Sequence, residues 1–291
     1  MVYCPGVCWW DSFHSGGAAD GVGSNHAVEV NLVTIREFGE THEKAMLFFP
    51  GSCTPTESYI PAAKQLAKIY HVLLVTPDGH DPQERTDFIS VEKTVDDAVA
   101  WLYAPHIQHL YALYGLSFGG GMAVRLLTTQ RIPVTKAIID AGTSPYQYPK
   151  WLCKLICVRD FLMVKLCIAS LTAMKAAFPP KHFATDPENW KPEYRELKAY
   201  LQTFSNKTIW NIFWSANNYE VPKTAPAMNT AIQFWVGTEE WGSRFRDLNW
   251  YQQYLPQMET VKIPGMMHGE LVTMHPEIFA EKIWLFTTTC G

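Results

Sequence analysis

From about residue 26 onward, short runs of apolar residues alternate with longer segments whose apolar positions recur every three or four residues. Short continuous apolar runs predict strands buried on both faces, and the longer spacing predicts amphipathic helices. Their alternation predicts repeated βα units around a mostly parallel central sheet flanked by helices, an α/β fold. Strands are expected at 28–33, 45–49, 72–75, 109–114, 137–139, 231–236 and 260–263. Ile60, Ala63, Leu66, Ala67 and Tyr70 repeat at helical spacing over 58–70. Ser90 is placed to cap a helix over 90–102, and Glu92 suits the positive end of its dipole. Further helices are expected at 120–127 and 276–286.

The alternation stops after Ala141. Residues 143–226 carry only helical patterns, at 151–158, 161–178, 192–204 and 208–217, divided by Pro179-Pro180. An all-helical stretch between two strands of one sheet predicts an inserted cap. The expected organisation is an N-terminal extension over 1–25, an α/β core over 26–142 and 227–291, and a helical cap over 143–226. The apolar stretch 151–178 is interrupted by Lys154, Arg159, Asp160, Lys165 and Lys175. A membrane span needs about 20 nearly uncharged residues, so packed helices are expected there and no span.

Composition narrows the function classes. The chain of 291 residues has 47% apolar and 18% charged residues, as a soluble globular protein does, and its formal charge of -4 offers no basic footprint for nucleic acid. Its seven cysteines are scattered, odd in number and without a CxxC pair. Free thiols in a reducing cytoplasm are therefore expected, and neither a disulfide scaffold nor a zinc site. Cys153 and Cys157 stand one helical turn apart and should share a buried helix face. The first 24 residues lack the basic start and apolar run of a signal peptide, and the GxG within 16–23 follows no strand, so no dinucleotide site is expected.

The chemistry concentrates at Gly115-Leu116-Ser117-Phe118-Gly119, directly after an apolar run and before a helical pattern. Strand, glycine-bracketed serine and helix make up the setting of a nucleophile elbow. A serine hydroxyl needs a base within hydrogen-bond reach and an acid that holds the base's tautomer. His268 is the candidate base, because the loop Pro264-Gly265-Met266-Met267 carries it away from the end of a predicted strand. His275 directly precedes Pro276 and suits a capping or surface role, and His80, His182 and the remaining histidines read as ordinary turn or surface residues. Glu240, after the strand that ends at Gly237, is the favoured acid, with Glu239 and Asp140 as alternatives. An oxyanion hole needs two donors. The N–H of Phe118 is one; Ser52, or else Cys53, is the other, since Pro50 has no N–H.

Taken together, the GLSFG elbow, the Pro50-Gly51-Ser52 and Asp78-Gly79-His80 turns, the Gly237-Thr238-Glu239-Glu240 turn and the Gly265-Met266-Met267-His268 loop resemble the α/β-hydrolase superfamily over nearly all of 28–286. The order serine, acid, histidine is also that of the family. The chain departs from the family in having Pro50-Gly51 where many members have His-Gly, and glutamate where the acid is usually aspartate. The resemblance implies a Ser117 nucleophile, a His268 base, a Glu240 acid and a helical cap over an acyl pocket. It implies a carboxylesterase-like serine hydrolase for a small hydrophobic ester, with no metal or organic cofactor. Alternatives are another reaction on the same triad (C–C bond hydrolysis, lysis, acyl transfer or perhydrolysis) and a non-catalytic ligand-binding member. Trp151, Phe161, Met163, Met174, Phe178, Phe204, Trp210, Phe213 and Trp214 are candidates for pocket lining or for plain packing.

Overall fold

A computed structural model describes residues 33–105, 107–145 and 148–288. The described chain opens with β1 (Thr34–Phe38) and β2 (Ala45–Phe49), followed by a 3-10 turn, Thr56–Tyr59, that leads into α1 (Ile60–Leu66). Next come β3 (His71–Thr76), α2 (Val91–Tyr103), β4 (Leu110–Leu116), α3 (Phe118–Thr129) and β5 (Val134–Asp140). Five helices then follow without a strand: α4 (Lys150–Ala169), α5 (Leu171–Ala177), α6 (Pro180–Phe183), α7 (Lys191–Gln202) and α8 (Asn206–Ala216). The chain returns to the sheet with β6 (Ala231–Gly237), α9 (Gly242–Tyr254) and β7 (Glu259–Ile263), and ends in α10 (Glu270–Met274) and α11 (Pro276–Thr288).

The strands form one sheet in the order β1-β3-β2-β4-β5-β6-β7, parallel except for β1, which pairs antiparallel with β3. All five residues of β2 are buried, as expected of a parallel strand covered on both faces. One face packs Leu47, Leu73, Val75 and Leu113 against α2, α3 and α9. The other packs Met46, Phe48, Val72, Leu74 and Tyr114 against α1 and α11 through Ala62, Leu66, Phe279 and Ile283. Because the chain runs from β2 outward to β3 and then back across to β4, the order reverses between β2 and β4. Such a switch point opens a crevice at the strands' carboxyl ends, where α/β sheets place their ligands.

Not every expectation falls on described residues, and several that do are corrected. The strand expected at 28–33 lies outside the described residues apart from Val33, as do residues 1–25, and the first described strand is β1. The 58–70 helix begins as a 3-10 turn, since Pro61 has no N–H to bond one α-turn back, and it stops at Leu66, whose carbonyl accepts from Ile69 N and Tyr70 N in the closing turn. The helices expected at 151–158 and 161–178 are redistributed. Arg159 and Asp160 pair with each other at 2.6 Å instead of ending a helix, and α4 runs on to Ala169. The break falls at Ser170, whose hydroxyl accepts the Ala173 N–H and caps α5. α6, α9 and α10 have no counterpart in the sequence reading. The two shortest fall below the length at which periodicity registers, and α9 mixes buried Arg244 and Asp247 with apolar residues on one face. Cys153 and Cys157 are buried on α4 as expected, joined by Cys167, and the described cysteines, with Cys53, are free thiols.

The passage from β4 to α3 explains both glycines of the elbow. A Cβ on Gly115 would stand 2.2 Å from the Gly119 carbonyl oxygen, and one on Gly119 would stand 2.3 Å from that of Phe49 and 2.5 Å from that of Pro50. Gly115→Ala should therefore cost about 1–3 kcal/mol in urea unfolding, as overpacking against backbone does. Gly242→Ala, at the start of α9 with nothing within 4 Å of the added carbon, should cost nothing or stabilise slightly.

Candidate active site

Ser117 stands between β4 and α3 with φ 53° and ψ -112°, a conformation sparsely populated by residues other than glycine. Its backbone is pinned on three sides. Its N–H donates to the Asp140 carbonyl at 2.7 Å, and its carbonyl accepts from Gly120 N and Thr143 N, both at 3.0 Å. The elbow is thereby fastened to the end of β5, and the serine side chain stays partly exposed at the sheet's edge. Phe118 opens α3, so its N–H has no acceptor one turn back.

The loop after β2 touches the elbow through the approach of Gly119 to Phe49 and Pro50. Of its amides, Gly51 N donates to the Tyr59 hydroxyl at 3.2 Å and is thus engaged. Ser52 follows in a turn, and Cys53 takes a left-handed conformation, φ 61°. Burial pushes the Cys53 thiol up to about 12, so it is held as a neutral group.

His268 arrives from the other side. After β7 the loop turns at Gly265, φ 73°, and the residue following the histidine, Gly269, lies against Leu116: a Cβ there would be 3.1 Å from Leu116 Cδ2. The neighbours of Ser117 and His268 are thus in van der Waals reach of one another. His268 Nδ1 is 2.9 Å from Glu240 Oε1. An ionised carboxylate only accepts, so Nδ1 carries the proton and the lone pair of the neutral ring is on Nε2. Glu240 is held in place because its Oε2 accepts the Trp241 N–H at 3.2 Å, and its side chain is only 1% exposed. Glu239, one residue earlier, is exposed, and its N–H donates to the Met266 carbonyl.

Asp140, the other alternative acid, is buried beneath this pair but bonds elsewhere: the Tyr114 hydroxyl donates to its Oδ2 at 2.7 Å. Burial raises its carboxyl to about 7, with the nearby charge of Glu240 adding to the rise and the Tyr114 bond and His268 opposing it. Of the sequence candidates, His268 and Glu240 are bonded to each other, Gly269 beside the histidine packs on Leu116 beside Ser117, and Gly119 meets Phe49 and Pro50 of the loop that carries Ser52. Glu239 is exposed, and Asp140 is buried near the pair with Tyr114 as its hydrogen-bond partner.

Three further groups escaped the sequence reading. Glu270 Oε2 accepts the Met267 N–H at 2.7 Å and bonds His182 Nδ1 of α6 at 2.7 Å, so one buried carboxylate ties the histidine loop to the helical insertion. Glu270 is the first residue of α10, with Gly269 as its N-cap, so its bond back to the Met267 N–H precedes the helix and has no capping-box spacing to announce it; the partner His182 lies 88 residues away. Trp241 stacks near His268, ring centroids 4.9 Å apart, and also meets Phe178 and Phe183 of the insertion. His80 and His182 are buried, which corrects their reading as ordinary turn or surface residues. His80 lies 6.2 Å from the Phe118 ring, with Nδ1 donating to the Asp78 carbonyl, and burial lowers its pKa to about 4, so the ring is neutral. Among the described residues no three His, Cys, Asp or Glu side chains are grouped as a metal-ligand set, and no helix is long and apolar enough to cross a membrane.

No protein-family model matches the sequence, and no curated protein is similar to it at the level of sequence. Solved structures are similar. An enol-lactonase from Burkholderia xenovorans has a TM-score of 0.70 at 15% identity, over 88% of this chain and 96% of that one. An esterase from a Rhodococcus species has a TM-score of 0.66 at 17% identity, over 89% and 95%. An alpha/beta hydrolase family protein from Desulfitobacterium hafniense has a TM-score of 0.63 at 16% identity, over 87% and 99%. At such identities the likeness is one of architecture. The chain has the α/β-hydrolase fold.

Proposed function

We propose that the protein is a serine hydrolase of carboxylesterase type, acting on a small hydrophobic ester through Ser117, His268 and Glu240. The observation that carries this reading is the buried Glu240 carboxylate bonded to Nδ1 of His268, on a loop packed beside the strained Ser117. In the first step Nε2 of His268 takes the Ser117 proton while Oγ attacks the ester carbonyl carbon. The carbonyl electrons move onto oxygen, where the N–H groups of Phe118 and Ser52 receive the charge. Collapse of this adduct breaks the bond to the alcohol, which leaves with the proton from Nε2. Water, deprotonated in turn by His268, attacks the acyl-serine; the acid departs and Oγ recovers its proton. Glu240 stabilises the imidazolium that forms in both halves, and a buried carboxylate does this more strongly than one in water.

The helical insertion serves as the cap in this reading, and Phe178, Phe183 and Trp241 next to His268 favour an apolar acyl or aromatic group. Esterases and an enol-lactonase among the solved structures of the same fold agree with acyl transfer as the reaction class.

Two measurements test the assignment. Ser117→Ala and His268→Ala should each lower kcat for p-nitrophenyl acyl esters on the order of 10⁴-fold or more, and only enzyme with Ser117 should be labelled by a fluorophosphonate. Glu240→Gln should cost on the order of 10³- to 10⁴-fold while Glu239→Gln stays near wild type; equal losses in both, or a loss in Glu239→Gln alone, would reassign the acid.

Asp140 supplies a pH prediction. Its folded-state pKa, about 7, lies above the ordinary value of 3.8. Between those values the unfolded chain has released this proton and the folded one retains it, so folding takes up a proton and stability falls as pH rises across that window. Asp140→Asn removes the titration. Its melting temperature relative to wild type should climb from pH 4.5 to pH 7.5, and a difference that stays flat would mean that Asp140 is ionised throughout.

A further inference from the structure

The outer face of α4 is apolar and exposed among the described residues. Trp151, Leu155, Val158, Leu162 and Leu166 follow one another at steps of four, three, four and four, which places them in one stripe along the helix. Each is exposed, from 40% at Val158 to 65% at Trp151. The stripe is not the inner face seen at an oblique angle. Cys153, Cys157, Val164 and Cys167 occupy the opposite side of the helix and are buried, with Cys157 Sγ bonded to the Trp210 carbonyl of α8 at 3.6 Å.

Charge says what the stripe fits. At 100° per residue, Lys154 and Lys165 border it on one side and Arg159 on the other. The only acidic residue of α4, Asp160, is already paired with Arg159. The same sign prevails over the insertion: residues 150–216 contain ten Lys and Arg against five Asp and Glu, a formal +5 in a chain whose total is -4. The remainder of the molecule is correspondingly acidic. A second copy of this helix laid on the first would set these cationic borders against each other, with no free carboxylate on either helix to compensate. An apolar stripe with Trp at one end, long basic side chains on both borders and a cationic surround instead matches the boundary layer of an anionic bilayer. There the apolar side chains enter the acyl region and the ammonium groups reach back to the headgroups.

We infer that α4 is a membrane-surface helix, docking the insertion on anionic lipid through Trp151, Leu155, Val158, Leu162 and Leu166, with Lys154 and Lys165 against the headgroups and Arg159 engaged with Asp160 at the other border. The helix lies on the bilayer and does not cross it. Docking by this face brings the insertion, and with it the Phe178, Phe183 and Trp241 contact next to His268, close to the lipid phase in which apolar substrates concentrate.

The full-length protein is sedimented with vesicles of phosphatidylcholine alone and with vesicles in which a third of the lipid is phosphatidylserine. It should sediment with the anionic vesicles and remain in solution with the neutral ones, and added salt should release it. Leu155→Ser/Leu162→Ser should weaken binding more than about tenfold, since two leucines lose their burial. Lys154→Gln/Lys165→Gln should weaken it by about fivefold for each charge removed. All four positions are exposed or at the rim of α4, and matching circular dichroism and urea midpoints verify that the variants fold. The inference is overturned if wild-type protein stays in solution with anionic vesicles, or if both variants bind as wild type does. It is equally overturned if light scattering finds a dimer that Leu155→Ser/Leu162→Ser dissociates, since the stripe is then a contact between copies. Vesicle binding needs no intact nucleophile, so it is measured in parallel on Ser117→Ala, and failure here is distinguishable from failure of the hydrolase assignment.

Discussion

The backbone at Ser117 is the constraint on which the rest of this site is built. A serine at φ 53° and ψ -112° is held against a cost of about 1–3 kcal/mol, and it persists only where its surroundings over-determine it. Here they do so through the Ser117 N–H donating to the Asp140 carbonyl, the Gly120 and Thr143 N–H groups donating to the Ser117 carbonyl, and the mutual approach of Gly115 and Gly119. The same approach presses the elbow onto the carbonyls that end β2. The switch in strand order between β2 and β4 is thereby turned into a shared edge where the Ser52 loop and the start of α3 stand side by side.

Around that edge the carboxylates occupy different electrostatic settings. Glu240 faces an imidazole and a backbone N–H, partners that favour its charge. Asp140 has a phenol as its hydrogen-bond partner, and burial together with the charge on Glu240 keeps its proton on until nearly neutral pH. Two buried carboxylates near one histidine repel each other when both are ionised, and the proton that burial keeps on Asp140 relieves that repulsion.

Much of this was legible because it is local. Gly115 and Gly119 bracket a serine at the junction of two hydrophobic periods, and turn residues mark the ends of β2, β6 and β7, so sheet, elbow and the Ser117, Glu240 and His268 candidates follow from short-range pattern. What escaped is non-local or masked by competing signals. The Arg159-Asp160 dipeptide looked like a helix boundary because its charges interrupt an apolar run, yet the two side chains satisfy each other and the helix continues to Ser170. His80 and His182 looked like surface residues because histidine in a turn usually is; their burial depends on aromatic neighbours such as Phe204 and on Glu270, far away in sequence. The sequence favours Glu240 over Glu239, and the structure adds a difference that a glutamate pair at a strand end does not encode: Glu240 is buried and Glu239 exposed.

The carboxylate of Glu270 touches two segments that the chain separates by three helices and two strands. Met267, immediately before His268, gives it an N–H, and His182 of α6 gives it an imidazole. Local opening of the insertion would strand that buried acid without one of its partners, a loss large enough to couple the two openings. The histidine loop and α6 are therefore expected to behave as one cooperative unit in native-state hydrogen exchange, with the amides near Met267 acquiring their protection from a helix that is not their neighbour in sequence.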